Sequence, residues 1–238
     1  MPVDNDPERA LVVMAHPDDA DFSCAGTIAT WTEAGVEVSY LMVTDGESGG
    51  DDRTGDSADM AATRRAEQRE AARVVGVRDV RFLGYPDGRL TPSLELRRDI
   101  ARVIRQVRPH RMVIPSPDRD WTHIAPSHPD HLATGESGIN AVYPDARNPH
   151  AHPELADEHL EPWTVPEVWL VHGAAPNHYV DITDVIERKM AALSSHASQI
   201  GGFSELEAAL REALGKNAVA GGLGEDRLAE VFQIVNTA

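Results

Sequence analysis

The chain alternates short runs of β-branched and apolar residues with longer stretches whose apolar positions recur at helical spacing. "LVVMA" (residues 11–15), "VSYLMVT" (38–44), "VRFLG" (80–84), "RMVIP" (111–115) and "EVWLVHG" (167–173) read as strands. Helical patterns lie between them, near residues 24–35, 57–75, 93–108 and 129–142. This alternation predicts βαβ units and therefore an α/β fold, a Rossmann-like, mostly parallel sheet flanked by helices. Gly35 and Gly76 stand where helix C-caps belong, and Pro109 ends the third helix. "YVDITDVIERKMAALSSHASQI" then predicts a short strand, Thr183 or Asp184 as N-cap, and a long amphipathic helix.

Two stretches break this rhythm. Residues 144–166 hold five prolines and no clean period, which predicts a long ordered loop. Long loops in compact domains often act as lids, so this one is expected at the mouth of a crevice, as a wall for the bulk of a substrate. From Phe203 onward the pattern is helical, with "AVAGGLG" breaking it before a last short helix. No shift in composition divides the chain, so a single domain over residues 1–238 is expected, with a helical C-terminal extension over 203–238.

Charge narrows the partners. With 22 Lys and Arg against 39 Asp and Glu, the net charge of −17 disfavours nucleic acid and anionic membranes. No apolar run approaches the ~20 residues of a membrane span, so no membrane insertion is expected. The polar start "MPVDNDPERA" does not read as a secretory signal. A lone cysteine, Cys24, fits a reducing cytoplasm and is expected as a small buried residue. A small-molecule substrate remains as the partner, with a homo-oligomer left open.

The candidate chemistry sits at strand ends. "AHPDD" releases His16, Asp18 and Asp19 directly after the first strand, and "SHPDH" brings His128, Asp130 and His131 after the fourth. In open α/β sheets ligands bind beyond the carboxyl ends of the strands, where strand order reverses. A strand order of 3-2-1-4-5 would make these two clusters face each other. A hydrolytic zinc needs three nitrogen or oxygen ligands and an open position, and a further carboxylate must remain free as general base. Asp18 and Asp19 leave the strand in different directions and can divide those roles. Either of His128 and His131 could ligate while the other polarises a carbonyl. Arg64 opens the "TRRAEQRE" helix and Asp45 follows the second strand, which makes both candidates for gripping substrate. "GESGGDD" lacks the Lys-Ser/Thr ending of a phosphate loop. His196 and Gln199 on the late helix are expected to pack or to hydrogen-bond.

At these residues the chain resembles the LmbE-like (PIG-L) deacetylases. "AHPDDADFSCAGTIA" and "HPDH" look like the family's two motifs, and the likeness extends through "TRRAEQREAARVVGV", "FLGYPDGRL" and "VDITDVIERKMAALSSHASQ". The resemblance implies Zn2+ (or Fe2+) on His16, Asp19 and His131, with Asp18 as general base and His128 as electrostatic stabiliser or acid. Asp130 would tune a histidine from behind. It also implies removal of an acetyl group from an N-acetylglucosamine unit in a thiol-sugar precursor, glycolipid or glycopeptide. The alternatives are an amidase cleaving a sugar–amino-acid amide, a non-hydrolytic nucleotide-binding module and an oxygen-using iron enzyme. Many members carry Glu directly after "HPDD" and Arg after "HPDH"; Ala20 and Leu132 stand there in this chain.

Overall fold

The computed structural model describes residues 7–50, 56–200 and 203–238. The polar start up to Asp6 and the closing Asp51 and Asp52 of "GESGGDD" lie outside them. The elements run β1 (Arg9–Met14), α1 (Asp19–Ser23), α2 (Ala25–Glu33), β2 (Glu37–Thr44), α3 (Ser57–Val74), β3 (Asp79–Tyr85), α4 (Leu94–Val107) and β4 (Arg111–Pro115). There follow α5 (Pro129–Asn140), α6 (Glu154–Asp157), β5 (Glu167–Val171), β6 (His178–Asp181), α7 (Ile186–Ser194), α8 (Phe203–Ala220) and β7 (Ala229–Asn236).

One seven-stranded sheet has the order β3-β2-β1-β4-β5-β7-β6. Its first five strands are parallel, as expected, while β7 runs antiparallel to both β5 and β6. Successive side chains of a strand point to opposite faces, and β1 divides its apolar residues accordingly. Ala10, Val12 and Met14 join the core under α2 and α7, with Ile28, Met190 and Leu193. Leu11 and Val13 join the core under α4 and α5, with Ile100, Ile104 and Ile114. A strand apolar on both faces must lie inside the sheet, and β1 is central. The reversal of strand order falls between β1 and β4, so their carboxyl ends open one crevice.

The end of the chain corrects the sequence reading. Residues 229–236 form β7, where a short helix was expected. "AEVFQIVN" carries β-branched residues at a spacing that fits a strand, and the gap between β5 and β6 supplies hydrogen-bond partners on both sides. This strand also delivers Glu230. Its carboxylate accepts from Gly26 N–H (2.9 Å) and Thr27 N–H (2.7 Å), two of the donors that α2 leaves unpaired at its start. Lys189 donates to Glu230 (2.7 Å) and to the carbonyls of Asp21 (2.8 Å) and Phe22 (2.7 Å) at the end of α1. The buried pair thus clamps the α1–α2 junction. Neither Thr183 nor Asp184 caps α7 directly; a 3-10 turn over Thr183–Val185 precedes it, and Asp181 accepts from Thr183 N–H (3.0 Å).

Residues 144–166, expected as a lid, pack along α4. Arg105 of α4 gathers them by donating to the carbonyls of Ala146 (3.1 Å), Asp145 (3.0 Å), Asn148 (2.9 Å) and Leu160 (3.2 Å). Arg97 holds both oxygens of Asp145 (2.9 and 2.8 Å), and His152 meets the same carboxylate at 3.0 Å. The loop is strapped along α4 by these ion pairs and by backbone carbonyls, and the carbonyls have no side-chain signature in the sequence.

Replacing Glu230 by Leu should leave Lys189 buried without its counter-charge. The expected loss is about 3–5 kcal/mol, a fall in melting temperature on the order of 10 °C. A shift below about 2 °C would show that the clamp is dispensable. For Asp145, burial alone would raise the carboxyl pKa, but Arg97 and His152 outweigh it and hold it below the usual range. The gain is therefore present above the unfolded value near ~4 and fades as pH falls through the lower folded value. Asp145→Asn should lower the melting temperature at neutral pH by a few degrees, and the difference should narrow below about pH 4.

Candidate active site

β1 ends at Met14, and its continuation is pinned before the first functional side chain. The carbonyl of Ala15 accepts from both the N–H and the hydroxyl of Thr44 at the end of β2, each at 2.9 Å. Two residues after His16 the backbone turns sharply. Asp18 has φ +90°, in the left-handed region that L-residues rarely adopt. Its N–H donates to Gln68 Oε1 (2.8 Å), Gln68 Nε2 donates to Asp21 Oδ2 (2.9 Å), and that oxygen also lies 2.8 Å from His196 Nε2. Gln68, Asp21 and His196 are wholly buried. Because the Asp18 amide can only donate and the Asp21 carboxylate accepts, the orientation of the Gln68 amide is determined from both ends.

Arg64, buried, joins this frame. Its guanidinium donates to the carbonyls of Pro17 (2.6 Å) and Gly46 (2.8 Å) and to Asp18 Oδ2 (3.2 Å). Gly46 has φ +69°, and a Cβ there would stand 2.4 Å from Arg64, so the approach requires glycine.

The second cluster comes from the start of α5. His131 Nδ1 lies 3.0 Å from the carbonyl of Pro126, which can only accept, so the ring proton sits on Nδ1. His131 Nε2 then turns a lone pair toward Asp19 Oδ1, 3.1 Å away. His16 Nε2 faces two carboxylate oxygens, Asp87 Oδ1 (3.1 Å) and Asp130 Oδ2 (3.2 Å), which places its proton on Nε2. Its Nδ1 remains free on the side of Asp19 Oδ2, at 3.5 Å. His128 is the reverse of His131. Its Nδ1 accepts from Asp130 N–H (3.2 Å), so in the neutral ring Nε2 carries the proton. The spacing of the two histidines leaves their roles open; the two backbone groups separate them.

Asp130 is fully buried and saturated, accepting from Gly88 N–H (2.7 Å), Leu90 N–H (3.1 Å) and His16. Ring nitrogens of His16, His128 and His131 fall within 4.8 Å of one another, and so do donor atoms of His16, Asp87 and Asp130. Asp19 bridges His16 and His131.

Four carboxylates, Asp18, Asp19, Asp87 and Asp130, crowd here around one guanidinium. Burial works against the His16 imidazolium, but Asp130, Asp19 and Asp87 more than offset it and push its pKa up to about 12. Burial and the Asp19 charge push Asp18 up to about 7, against the pull of Arg64. Burial would raise Asp19 as well, yet His131 and His16 hold it well below the usual carboxylate range. Burial, with the neighbouring His16, lowers His128. Such a cluster binds protons or a cation in their place. Two imidazole lone pairs converging on a carboxylate fit a divalent metal of the zinc type, since ligating imidazoles must be neutral and their far nitrogens tied to acceptors.

A cavity of about 320 Å³ opens over His16, Asp18 and His131. Ser48, Gly49, Arg64, Asp87, Gly88 and His128 complete its polar wall. Asp45 is not on that wall, and its carboxylate is paired with Arg65. Asp87 and Gln68 are absent from the sequence-level candidates. The "YPDG" turn after β3 was a signal for Asp87, since it leaves the same sheet edge. Gln68 lies one helical turn after Arg64, on the same face of α3.

Residues 11–142 match the family model PIG-L, the GlcNAc-PI de-N-acetylases, and the chain belongs to this family. Diacetylchitobiose deacetylase of Thermococcus kodakarensis is 34% identical over 195 residues, covering 82% of this chain and 71% of that protein. The 1D-myo-inositol 2-acetamido-2-deoxy-alpha-D-glucopyranoside deacetylase of Rhodococcus erythropolis is 30% identical, covering 81% of each. Among solved structures, N,N'-diacetylchitobiose deacetylase from Pyrococcus horikoshii, complexed with its inhibitor MPG, superposes with a TM-score of 0.89 at 32% identity. That match covers 97% of this chain and 85% of the other.

The ring tautomers predict unequal metal dependence. Titrating Zn2+ into metal-free protein, Asp19→Ala and His131→Ala should each weaken binding by more than about a hundredfold, whereas His128→Ala should stay within about tenfold of the parent. Equal losses at His128 and His131 would refute the assignment of the protons.

Proposed function

We propose that this chain is a metal-dependent hydrolase that removes the N-acetyl group from an N-acetylglucosamine unit of a small-molecule substrate. The observation that carries this reading is that His16 Nδ1 and His131 Nε2 each face an oxygen of Asp19, beside a carboxylate, Asp18, that pairs with Arg64 instead. The family membership and the deacetylase relatives support it. His16, Asp19 and His131 would hold Zn2+, with Fe2+ compatible with the same nitrogen and oxygen donors. When bound, the cation supplies Lewis acidity, which lowers the pKa of water and polarises an amide carbonyl.

The protein's own groups perform the proton work. Asp18, poised near neutrality by burial and by Asp19, accepts a proton from water as it attacks. The backbone strain at Asp18, held by Gln68, aims the carboxylate while Arg64 steadies one of its oxygens. His128 offers Nε2–H to the oxygen that gains charge as the carbonyl becomes tetrahedral. Asp130 and Asp87 keep His16 in the tautomer that leaves Nδ1 free. The polar wall around Ser48, Gly49 and Asp87 suits the hydroxyls of a sugar. Asp45 could reach a hydroxyl only by giving up Arg65, so Asp87 takes its place in this reading. The single buried thiol, Cys24, favours a reducing cytoplasm.

The test is amine release from N-acetylglucosamine and its conjugates, measured with about one equivalent of Zn2+ and again after chelation. Activity that survives complete metal removal would end this reading. Asp18→Asn should retain the metal and lose about 10²–10⁴-fold in kcat. Gln68→Leu removes the acceptor of the Asp18 amide, and kcat should fall about a hundredfold with metal content and KM little changed. Full activity in Gln68→Leu would show that Asp18 holds its conformation unaided.

A further inference from the structure

The polar cavity is one of two that meet at the site. A second cavity of about 460 Å³, which shares Asp18 and His131 with the first and is lined by Asp19 as well, lies between the ends of β1, β4 and β5. Its lining changes character. Met14, Phe22, Pro115, Pro126 and Val171 form the wall, with no charged side chain beyond the site residues themselves. The polar groups left are Ser23 and His172, whose Oγ and Nε2 stand 3.4 Å apart. Burial, reinforced by His131, holds the His172 imidazole toward its neutral form. Asp18 and His131 line both cavities and form a partition between them, with polar side chains on one side and an apolar chamber on the other.

A secondary amide is planar and trans, so its two substituents leave in opposite directions. With the carbonyl at the partition and the sugar among Ser48, Arg64 and Asp87, the acyl group must point into the apolar chamber. An acetyl methyl fills only a small part of 460 Å³. Resting on the reading of the site as an N-deacylase, we propose that this chamber is an acyl-binding site, and that the enzyme hydrolyses N-acylglucosamines with linear chains of about four to six carbons as well as acetyl. In the reaction the oxygen of water bonds to the acyl carbon and the C–N bond breaks. The sugar leaves as an amine that takes up a proton, and the acid leaves as its carboxylate. The chamber adds apolar burial without changing this chemistry.

The test compares N-acetyl-, N-butyryl- and N-hexanoylglucosamine. The kcat/KM for the hexanoyl amide should lie within about tenfold of that for acetyl or exceed it. Calorimetric titration of metal-free protein should show the hexanoyl amide binding at least about tenfold more tightly, with a more negative heat-capacity change. Ser23→Leu, which narrows the chamber at a partly exposed position, should lower the hexanoyl-to-acetyl ratio of kcat/KM about tenfold. A hundredfold fall in kcat/KM from acetyl to butyryl in the parent enzyme would overturn the acyl site while leaving the deacetylase reading intact. Absence of turnover for all three, acetyl included, would overturn the deacylase reading and the acyl site with it.

Discussion

A buried carboxylate must find a counter-charge or enough donors, and the carboxyl end of β1 concentrates more of them than its own cations can satisfy. Asp18, Asp19, Asp87 and Asp130 share one guanidinium, that of Arg64, and two imidazoles, those of His16 and His131. Nearby, Asp21 is answered by His196 and Gln68, and Glu230 by Lys189 and the start of α2. The difference is instructive. Glu230, which only fastens the fold, has both oxygens partnered, whereas the carboxylates at the end of β1 leave a negative balance that suits a cation.

The tautomers of His128 and His131 follow from groups with no freedom to vary. Pro126 contributes a carbonyl, so His131 must carry its proton on the near nitrogen; Asp130 contributes an amide N–H, so His128 must carry its proton on the far one. Both partners are backbone atoms, positioned by a 3-10 turn over Ala125–Ser127 and by the first turn of α5. Side-chain identity alone makes the two residues interchangeable. The main chain breaks that equivalence, and one "HPDH" sequence yields a lone-pair donor and a proton donor three residues apart.

Much of this was legible beforehand. β1, β2, β4 and β5 are largely apolar runs because both faces are covered, while the edge strand β3 is only half-buried, and the two clusters meet because β1 and β4 are neighbours. Cys24 is buried, as its size and setting in "SCAG" suggest. The misses share a physical cause, dependence on contacts distant in sequence. β7 is a strand because β5 and β6 offer edges, so the expected terminal helix was a local reading of a tertiary fact. Asp45 looks like a free acid at a strand end, but Arg65 on α3 claims it. Residues 144–166 look like a lid, yet a single arginine, Arg105, ties their carbonyls to α4. Arg97 and Arg102 add ion pairs with Asp145 and Glu158, but the carbonyls that Arg105 gathers leave no trace in residue type.

The late segments also show why the site needs the whole chain. His196 ends the α7 region and closes the relay that supports Asp18, while Glu230 arrives from the last strand to fasten α1, the helix that begins at Asp19. Each acts on the site through a residue that touches it, never directly. The motif at β1 supplies the proposed reacting groups, and the network that holds Asp18 through Gln68 is completed more than a hundred residues later by His196. A chain carrying "AHPDD" and "HPDH" without the late His, Lys and Glu would keep the donors and lose the geometry. The αL backbone of Asp18 is costly by itself and persists only because its N–H finds Gln68 and, through it, a fully buried network.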